Sequence, residues 1–445
     1  MISDAGLSNQ EHANKRGIKA FLPAGKSEWQ RWTVVLYLWG AFFLAYIGRQ
    51  SIFSIFPVLR RELGFTEVQL GLTGTVFLWV YALGNPLGGR LSDRWSKKAL
   101  VMGAILSWSV CTLMIGVTQS PSGLLAWRAA LAFAQALYFP AAVALISNLH
   151  SEYTRSTALS LHGSAQFVGV IFGGWYGGFA TEALGWRWML WILAAAGTAY
   201  GLVLYFRLED KQPPARTATP STVDNESGST GVFTPTYLAL CISFFAICAM
   251  IWLIYAWLPD IVRERFNLPL GRAGLVATAY AQVAMIAGLV CAAPLGDWLM
   301  KQTKRGRLYV MLVGLIVCSP FLHILVRCQT LEGVRLAALG YGFFTGLFTA
   351  NFLACVFDVV PKGKRGFAAG FANMIGGIAG GLSAYLVGLL KGRYSVEVMF
   401  SVAAGFGIVS AVLLLATVWL LFLRDYGRAH PEMAPAAAGS RGLDR

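Results

Sequence analysis

The sequence predicts an all-α membrane protein of twelve transmembrane helices in two pseudo-symmetric six-helix bundles, and three observations carry that expectation. Of the 445 residues, 56% are hydrophobic and 13% charged, which is more apolar surface than a soluble core of this length hides. Apolar blocks recur from Trp32 to Leu423 with short polar gaps, and a spanning helix needs roughly 20 such residues. A stretch rich in Pro, Ser, Thr and Gly (KQPPARTATPSTVDNESGST) divides the blocks into two sets and has no apolar periodicity.

The first set of spans begins near Trp32, Glu67, Leu100, Gly123, Thr157 and Trp188. The second begins near Pro235, Ala273, Tyr309, Leu336, Phe367 and Val398. Residues 1–31 read as a cytoplasmic tail, 32–206 as the N-terminal bundle and 207–233 as a cytoplasmic linker. Residues 234–424 read as the C-terminal bundle and 425–445 as a disordered cytoplasmic tail. The first 31 residues lack the apolar core and cleavage site of a secretory signal, so the first span itself directs insertion. Most of the 36 Lys and Arg residues fall in the tails and in the loops on the N-terminal side. That bias predicts both termini in the cytoplasm of a bacterial inner (cytoplasmic) membrane.

The net charge of +15 is thereby read as membrane topology and not as a nucleic-acid surface. Seven Cys and five His are scattered without metal-binding or redox spacing, so neither a metal, a cofactor nor a structural disulfide is expected. No nucleophile, dyad or cofactor loop supports an enzyme.

The two sets repeat each other weakly. Gly89-Arg-Leu-Ser-Asp93-Arg94-Trp-Ser-Lys97-Lys98 follows the second span, and Pro-Leu-Gly-Asp297 with the basic run to Arg307 follows the eighth. Arg155/Ala158 before the fifth span is matched by Arg365/Ala368 before the eleventh. Glycine in such a loop permits close helix approach, a carboxylate complements a helix N-terminus, and clustered cations face anionic headgroups. The Gly89 to Lys98 segment resembles the signature loop of the major facilitator superfamily, with Ser96 where Gly is usual. The resemblance implies a gating or bracing role for Gly89, Asp93, Arg94, Lys97, Lys98, Asp297 and Arg365. It also implies a central cavity lined by spans one, four, seven and ten.

Two further segments narrow the resemblance. Arg128 and Gln135, with Pro140 beyond them, are similar to the fourth-helix pattern of the anion:cation symporter and organophosphate:phosphate antiporter families. Gln135 stands where many symporters carry Glu. Tyr46-Ile-Gly-Arg49 resembles the first-helix element those families share, with Gly48 replacing the usual Asp. Tyr255-Ala-Trp-Leu-Pro259 in span seven is closer to the symporters.

Arg49 lies deep in span one, where a guanidinium costs about 2.5 to 3.5 kcal/mol on insertion scales unless it is paired or hydrated. Helical spacing sets Phe42, Tyr46 and Phe53 on its face. The first set offers no internal carboxylate beyond Glu67 at a span edge, so the expected partner is the substrate: a small organic anion docked on the planar fork. The competing reading has Arg49 snorkelling to headgroups. Arg128, nearer the outer end of its span, is open to snorkelling, to a structural contact with span one, or to substrate. Gln135 reads as a ligand contact or an interhelical amide. Gln166, Tyr255 and Asn351 complete the expected binding set. Trp252, Tyr280, Gln282, Tyr341, Thr345 and Asn373 are further positions for the opposite wall. His162, one turn from Gln166, is the candidate proton site, unless it sits near the cytoplasmic face.

Glycines at four-residue spacing in spans five and eleven (Gly169, Gly173, Gly177; Gly174, Gly178; Gly376, Gly377, Gly380, Gly381) are assigned to rocking contacts between halves. The expectation is a monomeric, alternating-access secondary transporter of a small organic anion, working by symport, antiport or uniport. A proton or counter-anion is the possible co-substrate. Efflux of amphipathic lipids or drugs is the alternative, and a non-transporting anion sensor a third reading.

Overall fold

The structure is a computed structural model that describes residues 28–208, 231–361 and 364–430. Residues 1–27, most of the expected linker and residues 431–445 lie outside the described residues, as does the side chain of Asp93.

The described chain is all helical. Its first set comprises α1 (Glu28–Ser54), α2 (Phe56–Leu63), α3 (Glu67–Arg94), α4 (Lys97–Val117), α5 (Pro121–Leu149), α6 (Glu152–Leu184) and α7 (Trp186–Arg207). The second comprises α8 (Pro235–Phe266), α9 (Leu270–Gln302), α10 (Gly306–Arg327), α11 (Leu331–Val359), α12 (Arg365–Leu390), α13 (Val396–Leu420) and α14 (Phe422–Ala429). Eleven of these are long and apolar enough to cross a membrane. The 33-residue α6, rich in glycine and carrying His162, Gln166 and Glu182, is not among the eleven.

Sequence chemistry explains where the helices start and stop. Thr66 and Gln69 form a reciprocal capping box on α3, and Ser120, Thr234, Thr330 and Ser395 each cap the helix they precede. Gly64 ends α2 with φ 64°, a left-handed turn that glycine adopts without strain. Pro86, Pro140, Pro259, Pro294 and Pro320 lie inside helices, a placement tolerated where neighbouring helices cover the freed carbonyl.

Within the first set α1 packs on α6, α3 on α5, and α4 on α5 and α7. Within the second α9 packs on α11, α10 on α11 and α13, and α8 on α12 and α13. Two seams, α3 with α12 and α6 with α9, join the sets. The glycines separate these jobs by register. In α6, Gly169, Gly173 and Gly177 lie against α1, whereas Gly174 and Gly178 lie against α9. In α12, Gly376 and Gly380 face Phe244 and Trp252 of α8, while Gly377 and Gly381 face α3. Only one face of each stripe therefore serves contact between the sets, which corrects the assignment of all these glycines to rocking contacts.

The seams are confined to the half of the molecule farthest from the linker. Along α12 the contacts with α3 run from Gly388 through Gly381 to Gly377, and at Gly370 and Gly366 a Cβ would meet open space. Along α9 the contacts with α6 run from Leu270 to Thr278.

The expected disordered tail from residue 425 begins instead as helix α14. Its face Phe422, Asp425 and Ala429 is buried, and Asp425 accepts from the Thr236 backbone N–H (3.0 Å) and hydroxyl (2.7 Å) at the start of α8. A carboxylate there satisfies unpaired donors at a positive helix end.

Candidate binding site

Arg49 is 4% exposed, so it does not reach headgroups. Its guanidinium carbon lies 4.3 Å from the ring centre of Tyr46, 4.6 Å from Phe77 and 4.7 Å from Tyr81. Three electron-rich faces thus hold a cation away from water, each in the range where cation–π attraction contributes about 0.5–2 kcal/mol. One Nη donates to Gln135 Oε1 at 3.0 Å, and Nε is buried without a partner. Among the described residues Arg49 forms no ion pair with a carboxylate.

Arg128 is also buried, at 1% exposure, which excludes snorkelling. It contacts span one through the ring of Phe53, whose centre lies 5.9 Å from its guanidinium carbon, and its Nε donates to Thr73 O of α3 at 3.4 Å. Its guanidinium carbon lies 4.8 Å from the Phe77 ring centre, and one Nη lacks a partner. Two cations therefore share one ring, and the donors left over on each are free for an anion.

The structure brings most of the expected residues together. Tyr46 donates its hydroxyl to Gln166 Oε1 (3.1 Å), and Gln135 holds α1 through Arg49 and, at 3.4 Å, Ala45 O. Gln50, next to Arg49, donates to Tyr255 O at 3.1 Å, joining α1 to α8. Asn351 is not brought to this cluster: its amide donates to Ala292 O (3.3 Å) and Leu347 O (3.4 Å), next to Gly296. It is a packing amide between α9 and α11. Phe77 and Tyr81 were not singled out by sequence, although their four-residue spacing sets both on one face of α3.

His162 is 1% exposed and stacks on Phe42 with ring centres 4.7 Å apart. Tyr138 donates its hydroxyl to Leu38 O (2.7 Å), leaving its oxygen to accept from His162 Nε2 at 3.3 Å. Phe42 meets Tyr46 edge-on at 4.9 Å, so His162 stands two aromatic rings away from Arg49 and not at an exposed helix end.

At the end remote from the linker, Arg60 of α2 pairs with Glu67 (2.6 Å) and with Asp260, and Lys391 just past α12 reaches Glu67 (3.2 Å) and Asp260 (3.4 Å). Burial opposes the Arg60 charge, but the hydrogen bonds with Asp260 and Glu67 outweigh it and hold the guanidinium above its ordinary value. Glu182 of α6 accepts from Leu270 N at 2.7 Å, supplying the cap that Pro269 does not.

The residues of the expected loop are more dispersed, and Gly89 to Arg94 form the last turns of α3 instead of a loop. A Cβ at Gly89 would meet open space, and it is Gly88 that lies against Ala136, so the close approach expected of Gly89 belongs to its neighbour. Arg94 is exposed, Lys97 opens α4, and Lys98 lies 5.1 Å from the Tyr205 ring centre. In the second copy Arg307 pairs with Asp297 (2.6 Å) and Asp358 (3.6 Å), and Arg365 donates to Phe357 O (2.9 Å).

The family model of the Major Facilitator Superfamily matches residues 38–384 and 240–441. The D-galactonate transporter of Escherichia coli O6:H1 is 22% identical over 89% of this chain and 98% of its own length. The probable sulfoacetate transporter of Cupriavidus necator is 26% identical over 81% and 88%. The crystal structure of a bacterial homologue of the human lysosomal transporter Spinster, inward-facing and occupied, superposes with TM-score 0.72 at 17% identity, covering 92% of this chain and all of that one. That likeness is one of fold. With eleven apolar spans and a family match along nearly its whole length, the chain is a multi-pass membrane protein belonging to the Major Facilitator Superfamily.

Proposed function

We propose that this protein is an alternating-access carrier of a small organic anion (a carboxylate, sugar acid, sulfonate or phosphate ester) and that Arg49 anchors the anion. The observation that carries the reading is the state of Arg49: buried among three aromatic rings, hydrogen-bonded to a neutral amide, with Nε unbonded and no carboxylate beside it among the described residues. A buried cation without a counter-ion is costly, and an incoming anion removes that cost. The transporters of galactonate and sulfoacetate that it resembles are named for anions of this kind.

On this reading α6 is a twelfth span, the two sets are six-helix bundles that rock about the Arg49 region, and the linker end faces the cytoplasm of a bacterial inner membrane. The seams then close the outer side, and the conformation is inward-facing. Gln135 does not titrate, so it cannot compensate Arg49 and Arg128 by gaining or losing a proton on return of the empty carrier, which favours exchange over carboxylate-driven proton symport.

The test is thermal stabilisation of the purified protein across a panel of organic anions, since a ligand that binds only the folded state raises its stability. One anion class is expected to stabilise the parent, with affinity falling at least about 100-fold in Arg49→Gln, as for loss of a charge-assisted contact of about 3 kcal/mol. Stabilisation by lipids or cationic drugs and by no anion would move the assignment to efflux.

A further inference from the structure

Helices α12 and α13 follow one another in the chain and both pack on α8, yet they scarcely touch each other. In the first set the helices of the same order, α6 and α7, do pack together. The difference leaves a groove of about 340 Å³ between α12 and α13, a volume in the range of small-molecule sites. Leu253 of α8 with Ala379 and Val387 of α12 form its buried floor, and Leu386, Val402 and Phe406 its exposed rims. The groove shares no residue with the Arg49 site, and its rims belong to the faces that apolar spans turn to the bilayer.

Small side chains open the groove. Ala249, Ala379 and Ala403, one from each of the three helices, line it where larger residues would close the gap. Within the spans its one hydroxyl, Ser383, donates to Gly380 O at 2.9 Å. A polar guest would lose its hydration there and gain no hydrogen bond in return, so the guest is apolar.

The length and the mouth identify that guest. From Ala379 to Leu390, the part of α12 that lines the groove, the helix rises about 16 Å, close to half of a hydrocarbon core about 30 Å thick. The groove is thus one leaflet long. It ends at Tyr394, in the turn between α12 and α13 and remote from the linker, as tyrosines do at headgroup level. Arg393 beside it is exposed and has no ion pair among the described residues. The carboxylates near this end are taken, Glu397 by Arg265, and Glu67, Asp260 and Glu264 by Arg60, with Lys391 on the first two. An apolar chain one leaflet long, with an anionic group at its polar end, is a phospholipid.

We propose that this groove binds one membrane phospholipid, with an acyl chain lying on α8 between α12 and α13 and the phosphate on Arg393. The chain supplies the packing between α12 and α13 that side chains supply between α6 and α7. The headgroup sits in the same turn as Lys391, next to the charge cluster that joins the two sets.

The test is native mass spectrometry of the purified, delipidated full chain, titrated with phosphatidylglycerol or with diacylglycerol carrying the same acyl chains, together with the melting temperature. The parent is expected to retain one phosphatidylglycerol ahead of all others, about tenfold or more tightly than diacylglycerol, the scale of a charge-assisted contact. Its melting temperature should rise with that lipid. Arg393→Gln is expected to remove the preference for phosphatidylglycerol. Ala403→Trp, which fills the groove, should weaken the first lipid about tenfold or more, and Ala403→Leu by less, while Val409→Trp on the same helix beyond the groove leaves it in place. Many equivalent weak lipids with no distinct first one would overturn the site, as would a first lipid that both Ala403 variants leave bound. Equal retention of the two lipids by the parent, or a preference for phosphatidylglycerol that survives Arg393→Gln, would overturn the assignment of the phosphate to Arg393 and the proposal with it.

Discussion

Arg60 and Asp260 stand 200 positions apart in sequence and meet in a bidentate pair, one arm of which measures 3.0 Å. Asp260 is 2% exposed, and the pair ties α2 of the first set to α8 of the second. Replacing Asp260 with Asn removes the partner that Arg60 and Lys391 share. Truncating a fully buried pair costs about 3–5 kcal/mol. Here Glu67 keeps Arg60 paired and Arg60 is 22% exposed, so a loss of about 1–3 kcal/mol is expected, expressed as opening of this end. Cysteine labelling in α2 and at the end of α8 should rise in Asp260→Asn, and unchanged labelling would mean that the pair does not hold this end together.

Gln135 is the neutral partner of Arg49 at 3.0 Å. On the proposed reading, an ionised carboxylate in Gln135→Glu at neutral pH competes with the anion for the guanidinium, and anion affinity is expected to fall by about tenfold or more. Pairing with Arg49 holds the new carboxylate below its ordinary range of about 4.3, so affinity in this variant stays low from about pH 8 to about 5 and recovers only as pH falls below about 4. Calorimetry above and below that pH checks both signs.

Gly274 of α9 abuts the backbone of Gly174, and a Cβ added there would overlap the Gly174 carbonyl. Both partners are main chain, so no side chain can turn aside. Gly274→Ala is expected to disfavour the observed closure by about 1–3 kcal/mol, the usual scale of overpacking. Distances between spin labels on α6 and α9 at this end should lengthen, with transport slowed and the folded yield retained.

Asp425 supplies two hydrogen bonds to Thr236 at the start of α8. Asp425→Ala is expected to lower stability by about 1–2 kcal/mol, as loss of a helix cap does. The melting temperature of the purified protein reads this directly. An unchanged melting temperature would mean that α14 adds nothing to the second set of helices.

How much of the site was legible in the sequence depends on how many helices each contact requires. Tyr46 beside Arg49 follows from one helix and its spacing, and the amides at Gln135 and Gln166 were visible as residue types. Their pairing was not, because it depends on the rotation of α5 and α6 against α1. Phe77 and Tyr81 were missed for the same reason: in a span as apolar as α3, a ring facing lipid and a ring facing a cation look alike. Asn351 was misplaced because a polar residue in an apolar helix seals helix packing as readily as it meets a ligand. The helices α2 and α14 are short and charged, with no long apolar run to announce them.

The sequence by itself determined the solvent and the fold class: apolar blocks of bilayer length, separated by short polar gaps, permit little besides a helical membrane protein. It also singled out Arg49, since a lone guanidinium in such a block is expensive wherever it points. Only the tertiary structure decided which glycine of each stripe meets the other half, which rings enclose the guanidinium, and that α12 and α13 leave a groove between them on α8. The physical reason is that burial and charge are properties of a residue within its own helix, whereas satisfaction of a hydrogen bond belongs to the register between helices.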